Sequence, residues 1–258
     1  MLMRASLLAV VVAFAGCASA PPAPPAVPPA PPTAAEIVAS SDRDAADVAL
    51  DDGRQAAQFL AFADVKPGMT VADLGAGGGY TTELLARAVG NEGRVYSQNP
   101  KFVVEKFADK PWTARLAKPI NGNVVRVERE FDAPLPPEAN GAVDVAVNVL
   151  FYHDTVWLKT DRAAMNAAIF EALKPGGTYV IVDHSGKDGT GTTETQTLHR
   201  IEQGVVVAEI MGAGFVLAQE GHFLRHAEDT RDWNAAPMAA AARRGASDRF
   251  VLKFKKPA

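Results

Sequence analysis

The 258 residues of this chain predict an α/β fold built on a doubly wound, mostly parallel sheet. Short apolar runs rich in valine alternate with longer stretches whose apolar residues recur at helical spacing. One early run ends in an acid and opens into a glycine-rich turn, Val71-Ala72-Asp73-Leu74-Gly75-Ala76-Gly77-Gly78-Gly79-Tyr80. A helical pattern follows that turn at once, which is how a βαβ crossover begins.

Taken in order, residues 41–63 carry Ala, Val, Leu and Phe at helical spacing and predict one or two helices ahead of the first strand. Lys66-Pro67-Gly68-Met69 is a turn feeding that strand, residues 70–73. A helix from Tyr80 follows, then strands over 93–97, 124–127 and 143–149. Residues 161–173 read as a helix, and Pro175-Gly176-Gly177 as a turn into a strand over 178–182 that ends at Asp183-His184. A helix over 195–211 and a closing pair of strands, 215–220 and 249–254, complete seven strands.

The glycine turn is the place to ask what the chain binds. Glycine permits positive φ and lets a ligand approach the bare backbone. A dinucleotide site wants Gly-x-Gly-x-x-Gly with an acid about 20 residues later; here Tyr80 stands at the last glycine position and the acid, Asp73, precedes the loop. No lysine follows, which excludes a phosphate-binding P-loop. A carboxylate beside the loop suits a ligand with a cationic head better than a pyrophosphate.

Asp73-Leu74-Gly75-Ala76-Gly77-Gly78-Gly79 resembles motif I of the class I S-adenosylmethionine-dependent methyltransferases, (D/E)xGxGxG. The Lys174-Pro175-Gly176-Gly177 turn and the terminal strand pair are similar to that family too, so the resemblance runs from Lys66 to the C-terminus. It implies a Rossmann-like seven-stranded sheet whose last strand enters antiparallel, with an N-terminal helical extension, and S-adenosyl-L-methionine as cofactor. Cofactor contacts are then expected from Asp73, Gly75, Ala76, Gly77, Gly79 and Tyr80. The family's ribose-binding acid falls on Gln98 or Asn99, where this chain has amides, able to hydrogen-bond hydroxyls without charge assistance. Glu130 is the match for an adenine-side acid, with Phe131 as apolar neighbour, and Asn148 lies at the end of the fourth strand.

On the acceptor side the expected residues are Tyr152, His153 and Asp154 after strand four, His184 after strand five, and His199. A Tyr-His-Asp of this kind also resembles a group of bacterial methyltransferases without assigned substrates. Histidine can serve as a general base near neutral pH. All five histidines lie in the C-terminal half, but their spacings match no metal-ligand motif, so no metal is assigned. Residues 186–195 are polar and glycine-rich and read as a flap over the acceptor pocket, with the helix beneath aiming His199 or Arg200 inward.

Ahead of the domain, Arg4 and the apolar residues 5–15 form a targeting segment too short to span a bilayer. Phe14-Ala15-Gly16-Cys17 resembles a bacterial lipobox, which implies cleavage after residue 16 and lipidation of Cys17, the only cysteine. The alternative is a plain signal peptide cleaved after Ala18-Ser19-Ala20; export is common to both. Residues 17–35 hold the cysteine and a Pro/Ala-rich spacer, leaving residues 36–258 for the methyltransferase-like domain. The net charge of -4 and the lack of a basic run point away from nucleic acid. The expectation is an envelope lipoprotein, anchored through Cys17, that methylates a small or lipid-associated acceptor. A non-catalytic nucleoside-binding module, or a histidine- or metal-dependent enzyme on the same scaffold, are the alternatives.

Overall fold

The computed structural model describes residues 30–258, together with Ala9 and Val11. The targeting segment, Cys17 and most of the Pro/Ala run lie outside the described residues. Seven strands form one sheet: β1 (Thr70–Leu74), β2 (Arg94–Asn99), β3 (Val124–Glu128), β4 (Val143–Val149), β5 (Leu173–His184), β6 (Val216–Gly221) and β7 (Arg249–Lys255). Their order is β3-β2-β1-β4-β5-β7-β6. The first five pair in parallel, and β7 inserts antiparallel between β5 and β6. The order reverses between β1 and β4, and that switch is where an open α/β sheet leaves a crevice beyond the strand ends.

Helices cover both faces, and the strands' alternation sorts the side chains between them. Ala72 and Leu74 of β1, with Tyr179 and Ile181 of β5, join a core under α8 (Arg162–Ala172) and α9 (Gln203–Gly212). Val71, Val145, Val180 and Val182 join the opposite core, under α1 (Ala34–Val38), α3 (Ala56–Ala63) and α4 (Tyr80–Val89). The other α-helices are α2 (Ala45–Arg54), α5 (Lys101–Val103), α6 (Asp109–Leu116), α7 (Asp154–Trp157) and α10 (Pro237–Ala240). A capping box starts α1, with Thr33 and Glu36 satisfying each other's backbone N–H groups. Among the described residues no helix is long and apolar enough to cross a membrane.

Three elements depart from the sequence reading. The one or two helices expected over 41–63 are two, α2 and α3, parted where Gln55 adopts a left-handed conformation (φ 46°), but a further helix, α1, precedes them at Ala34–Val38. Strand β5 starts at Leu173 and runs through Pro175-Gly176-Gly177: Gly176 (φ 79°) donates to Lys256 O, and Lys256 N–H returns to Gly177 O. The helix expected over 195–211 begins only at Gln203. Residues before it form turns, since Thr190, Thr193 and Thr195 each donate their hydroxyl to the carbonyl three residues back, a local bond that competes with helix. Ile201 then makes an isolated parallel bridge to Ser185, just past the end of β5.

The glycine turn between β1 and α4 needs its glycines for two reasons. Gly75, Gly77 and Gly79 have φ of 68°, 56° and 82°, a region costly to other residues. At Gly75 the Phe151 ring also presses in: a β-carbon there would lie 2.5 Å from it, whereas at Gly77 it would meet nothing within 4 Å. Gly75→Ala is therefore expected to destabilise the protein by ~2–4 kcal/mol and Gly77→Ala by ~1 kcal/mol, as read from urea unfolding midpoints.

Candidate active site

The glycine turn is held by the two amides that follow it in space. Gln98 Oε1 accepts the Gly75 N–H (3.0 Å) while its Nε2 donates to Arg129 O (2.6 Å). Asn99 Oδ1 accepts the Gly77 N–H (2.8 Å) and its Nδ2 donates to Gly77 O (3.1 Å). The Ala76 N–H goes to Gln98 O. Both side chains are fully buried and brace the turn from behind, so neither presents itself to a ligand.

In front of the turn lies a cavity of about 410 Å³, within the range of small-molecule sites. Its floor is Asp73, Gly75 to Gly78, Tyr80 and Thr81, and its far wall is Phe151, His153, Asp154, His184 and His199. Asp47, Leu50 and Arg54 of α2 roof it. That roof is fastened by charge: Arg115 bonds Asp47 and Glu83, Arg87 and Lys118 also reach Glu83, and Tyr80 Oη donates to Asp51 (2.6 Å). The Arg54 guanidinium lies 4.4 Å over the Tyr80 ring, a cation–π contact.

Asp73 is 1 % exposed. Burial pushes its carboxyl up to about 6, against the opposing pull of the Thr82 hydroxyl (2.6 Å) and the Arg54 charge. Thr82 in turn meets Ser97 Oγ (2.9 Å), which accepts from Trp112 Nε1 (2.9 Å). A carboxylate so short of solvation favours a cation in the cavity.

At the far wall, His153 Nδ1 meets Asp183 Oδ1 (2.7 Å), and the His153 backbone N–H donates to the other oxygen (2.8 Å). Burial alone would lower the His153 pKa, but the Asp183 and Asp154 charges outweigh it and lift it to about 10. His184 goes the other way, held neutral by burial and by the neighbouring cations, with Nδ1 against Ser247 Oγ (2.8 Å). His199 has φ 50° and is carried by the segment that Arg200 locks down through Asp229 and Ser185 O.

The structure brings together Asp73, Gly75, Ala76, Gly77, Tyr80, His153, Asp154, His184 and His199 around one cavity. Other residues are corrected. Gln98 and Asn99 brace the turn, and Gly79 sits behind it under Arg115 while Gly78 lines the cavity. Glu130 is exposed and caps the Lys101 N–H (3.2 Å); Phe131 is buried against Phe151. Asn148 is sealed in mid-sheet, because its side chain leaves β4 on the core side. Tyr152 is fully buried, its hydroxyl bonded to Glu209 and Asn166 in the core. Residues 186–195 pack on Glu202, whose carboxylate accepts the Gly189 and Gly191 N–H groups, and do not cover the cavity. Missed by the sequence were Asp47, Leu50, Arg54 and Arg115, since nothing local ties α2 to a turn after β1.

Comparison with known proteins agrees with this geometry. The family model for protein-L-isoaspartate(D-aspartate) O-methyltransferase matches residues 45–112. Structural neighbours include an S-adenosylmethionine-dependent methyltransferase from Aquifex aeolicus, at 18% identity and TM-score 0.55 over 86% of this chain and 97% of that one. The chain has the class I methyltransferase fold. A second neighbour with this fold is the 1,6-didemethyltoxoflavin-N1-methyltransferase of Burkholderia thailandensis, solved with S-adenosylhomocysteine (19% identity, TM-score 0.52, 87% of each chain). Among curated sequences, the ribosomal RNA large subunit methyltransferase E of Rhodopseudomonas palustris (strain BisA53) is 32% identical over 144 residues, covering 50% of this chain and 56% of the relative. The chain thus spans about half the length of the curated relatives it matches.

The Asp73 burial has a pH signature. A carboxyl raised from 3.8 to about 6 by folding binds its proton more tightly folded than unfolded, so stability falls as pH climbs through that window. Asp73→Asn keeps an acceptor for Thr82 and removes the penalty. The variant is expected to match the wild type near pH 4 and to exceed it by ~2–3 kcal/mol above pH ~7, measured by urea unfolding at both pH values.

Proposed function

We propose that the protein is an S-adenosylmethionine-dependent methyltransferase acting on a small or lipid-associated acceptor in the cell envelope, exported and anchored through lipidated Cys17. The observation that carries the reading is the buried, desolvated Asp73 facing a glycine-floored cavity at the sheet's switch point. That site fits the cofactor: its size suits a nucleoside-bearing molecule, its carboxylate calls for a cation, and Tyr80 and Phe151 offer aromatic faces. The bound cofactor supplies an electrophilic methyl group on a sulfonium. Asp73 would meet its positive charge, the glycine turn would take its nucleoside, and the α2 roof would exclude water. Methyl transfer then asks the protein chiefly for in-line positioning of the acceptor.

The acceptor side opens into a second chamber of about 660 Å³, which shares Leu50, Arg54, Leu150, His184 and Pro237 with the first. Its wall mixes Ala46, Ala49 and Phe223 with Arg244 and Arg249. An apolar acceptor bearing an anionic group matches that lining. His184, held neutral at the junction of the two chambers, offers a hydrogen-bonding imidazole to the acceptor.

The bracing of the turn by Gln98 and Asn99 favours a second reading, a module that binds the nucleoside without catalysis, because no carboxylate stands at the ribose position. Calorimetric titration separates the two. S-adenosylmethionine and S-adenosylhomocysteine are both expected to bind, with Asp73→Asn weakening S-adenosylmethionine at least ~10-fold. Tritium from the methyl-labelled cofactor is expected to enter an envelope extract. Binding without transfer would support the module, and no binding of either ligand would sink both readings. For the anchor, Cys17→Ser is expected to abolish incorporation of labelled palmitate.

A further inference from the structure

We propose that His153, Asp154 and His199 bind one divalent first-row transition-metal ion at the acceptor end of the cavity. Three donor atoms converge there. His153 Nε2 lies 3.1 Å from His199 Nδ1 and 3.2 Å from Asp154 Oδ1, and His199 Nδ1 lies 3.4 Å from the same oxygen. Ligands held about 2.1 Å from an ion stand about 3.0 Å apart at octahedral angles and about 3.4 Å apart at tetrahedral ones. The observed triangle falls in that interval, so an ion about 1 Å off its plane reaches all three atoms.

The surroundings are those of a ligand set. Asp183, fully buried, takes His153 Nδ1 at 2.7 Å, which leaves Nε2 as the ligand atom; a carboxylate behind a ligating histidine fixes its tautomer and orientation. Trp157 Nε1 donates to Asp154 Oδ1 (2.7 Å) and sets that carboxylate. His199 comes from 46 residues along the chain, and the αL backbone that aims its ring costs energy that the buried Arg200–Asp229 pair can sustain.

Two imidazoles and one carboxylate select zinc, iron(II), cobalt(II) or manganese(II) over magnesium and calcium, which take all-oxygen shells. All three residues line the cavity, so the ion's open positions face it. An acceptor hydroxyl or carboxylate is the class of ligand those positions would take and polarise. The site stands independently of the methyl-transfer reading, and its test reads the metal directly.

Tag-free full-length protein, stripped with a chelator and re-equilibrated with each of the four ions, anaerobically for iron(II), is expected to retain one equivalent of at least one of them by mass spectrometric metal analysis. The cobalt(II) form is expected to show d–d absorption of a nitrogen- and oxygen-ligated ion. His199→Ala should weaken the ion more than ~100-fold and Asp183→Asn ~10–100-fold, while His222→Ala, on the exposed surface, should leave it unchanged. His199 is partly exposed, so its variant is expected to fold, as circular dichroism checks. Failure of the wild type to retain any of the four ions, or unchanged affinity in folded His199→Ala, overturns the proposal. Titration of the same samples with S-adenosylhomocysteine reports separately on the cofactor reading.

Discussion

Everything around the cavity answers to one carboxylate sealed at the switch point of the sheet. Asp73 points into the helical layer above β1, where water cannot solvate it, and the fold spends three other polar side chains to keep it there. Thr82 is the first contact, and Ser97 and Trp112 extend the chain across β2 to α6. This relay sets the register of α4 against β1 and brings α6 down beside the glycine turn. The carboxyl still gains less than it loses, as its raised pKa shows. Polar groups buried at net cost are a mark of sites shaped for a ligand.

The N-terminal helices answer the same charge from the other side. Arg54 stands over Tyr80, Arg43 pairs with Asp51 of α2 itself, and the ion pairs of Arg87, Arg115 and Lys118 tie α2 and its approach to α4, to α6 and to the turn after α6. Glu83 is buried among three of these cations. An isolated surface ion pair adds little, but a buried carboxylate shared by several cations behaves as a unit, because removing any one partner leaves charge uncompensated. The extension is thus a wall of the site and not an appendage of the sheet.

How much of this was legible in the sequence depends on how local each signal was. The strand alternation, the glycine turn and the closing hairpin follow from period-two burial and from positive φ, both written within a few residues. The fold and the loop residues Asp73, Gly75 and Gly77 were therefore readable. Direction of side chains was not. Gln98, Asn99 and Asn148 stand at strand ends where ligands usually bind, yet which face they leave depends on the pleat and on what the turn behind them needs. Tyr152 reads like an acceptor-side aromatic beside His153, and one step of the chain sends it into the core to Glu209 instead. The convergence of His199 with His153 and Asp154 was hidden for a different reason. Its segment looked helical, and only the threonine turns and the Ser185–Ile201 bridge carry it back over β4.

That segment leans on Arg200 and Asp229, an ion pair with both side chains wholly enclosed, the guanidinium also gripping Ser185 O and Trp233 O. A pair of this kind is costly to break from one side, so the loop bearing His199 has little freedom to swing. That wall of the cavity is consequently fastened by contacts separate from those of Gln98 and Asn99 behind the glycine turn, so a change that loosens one leaves the framework of the other standing.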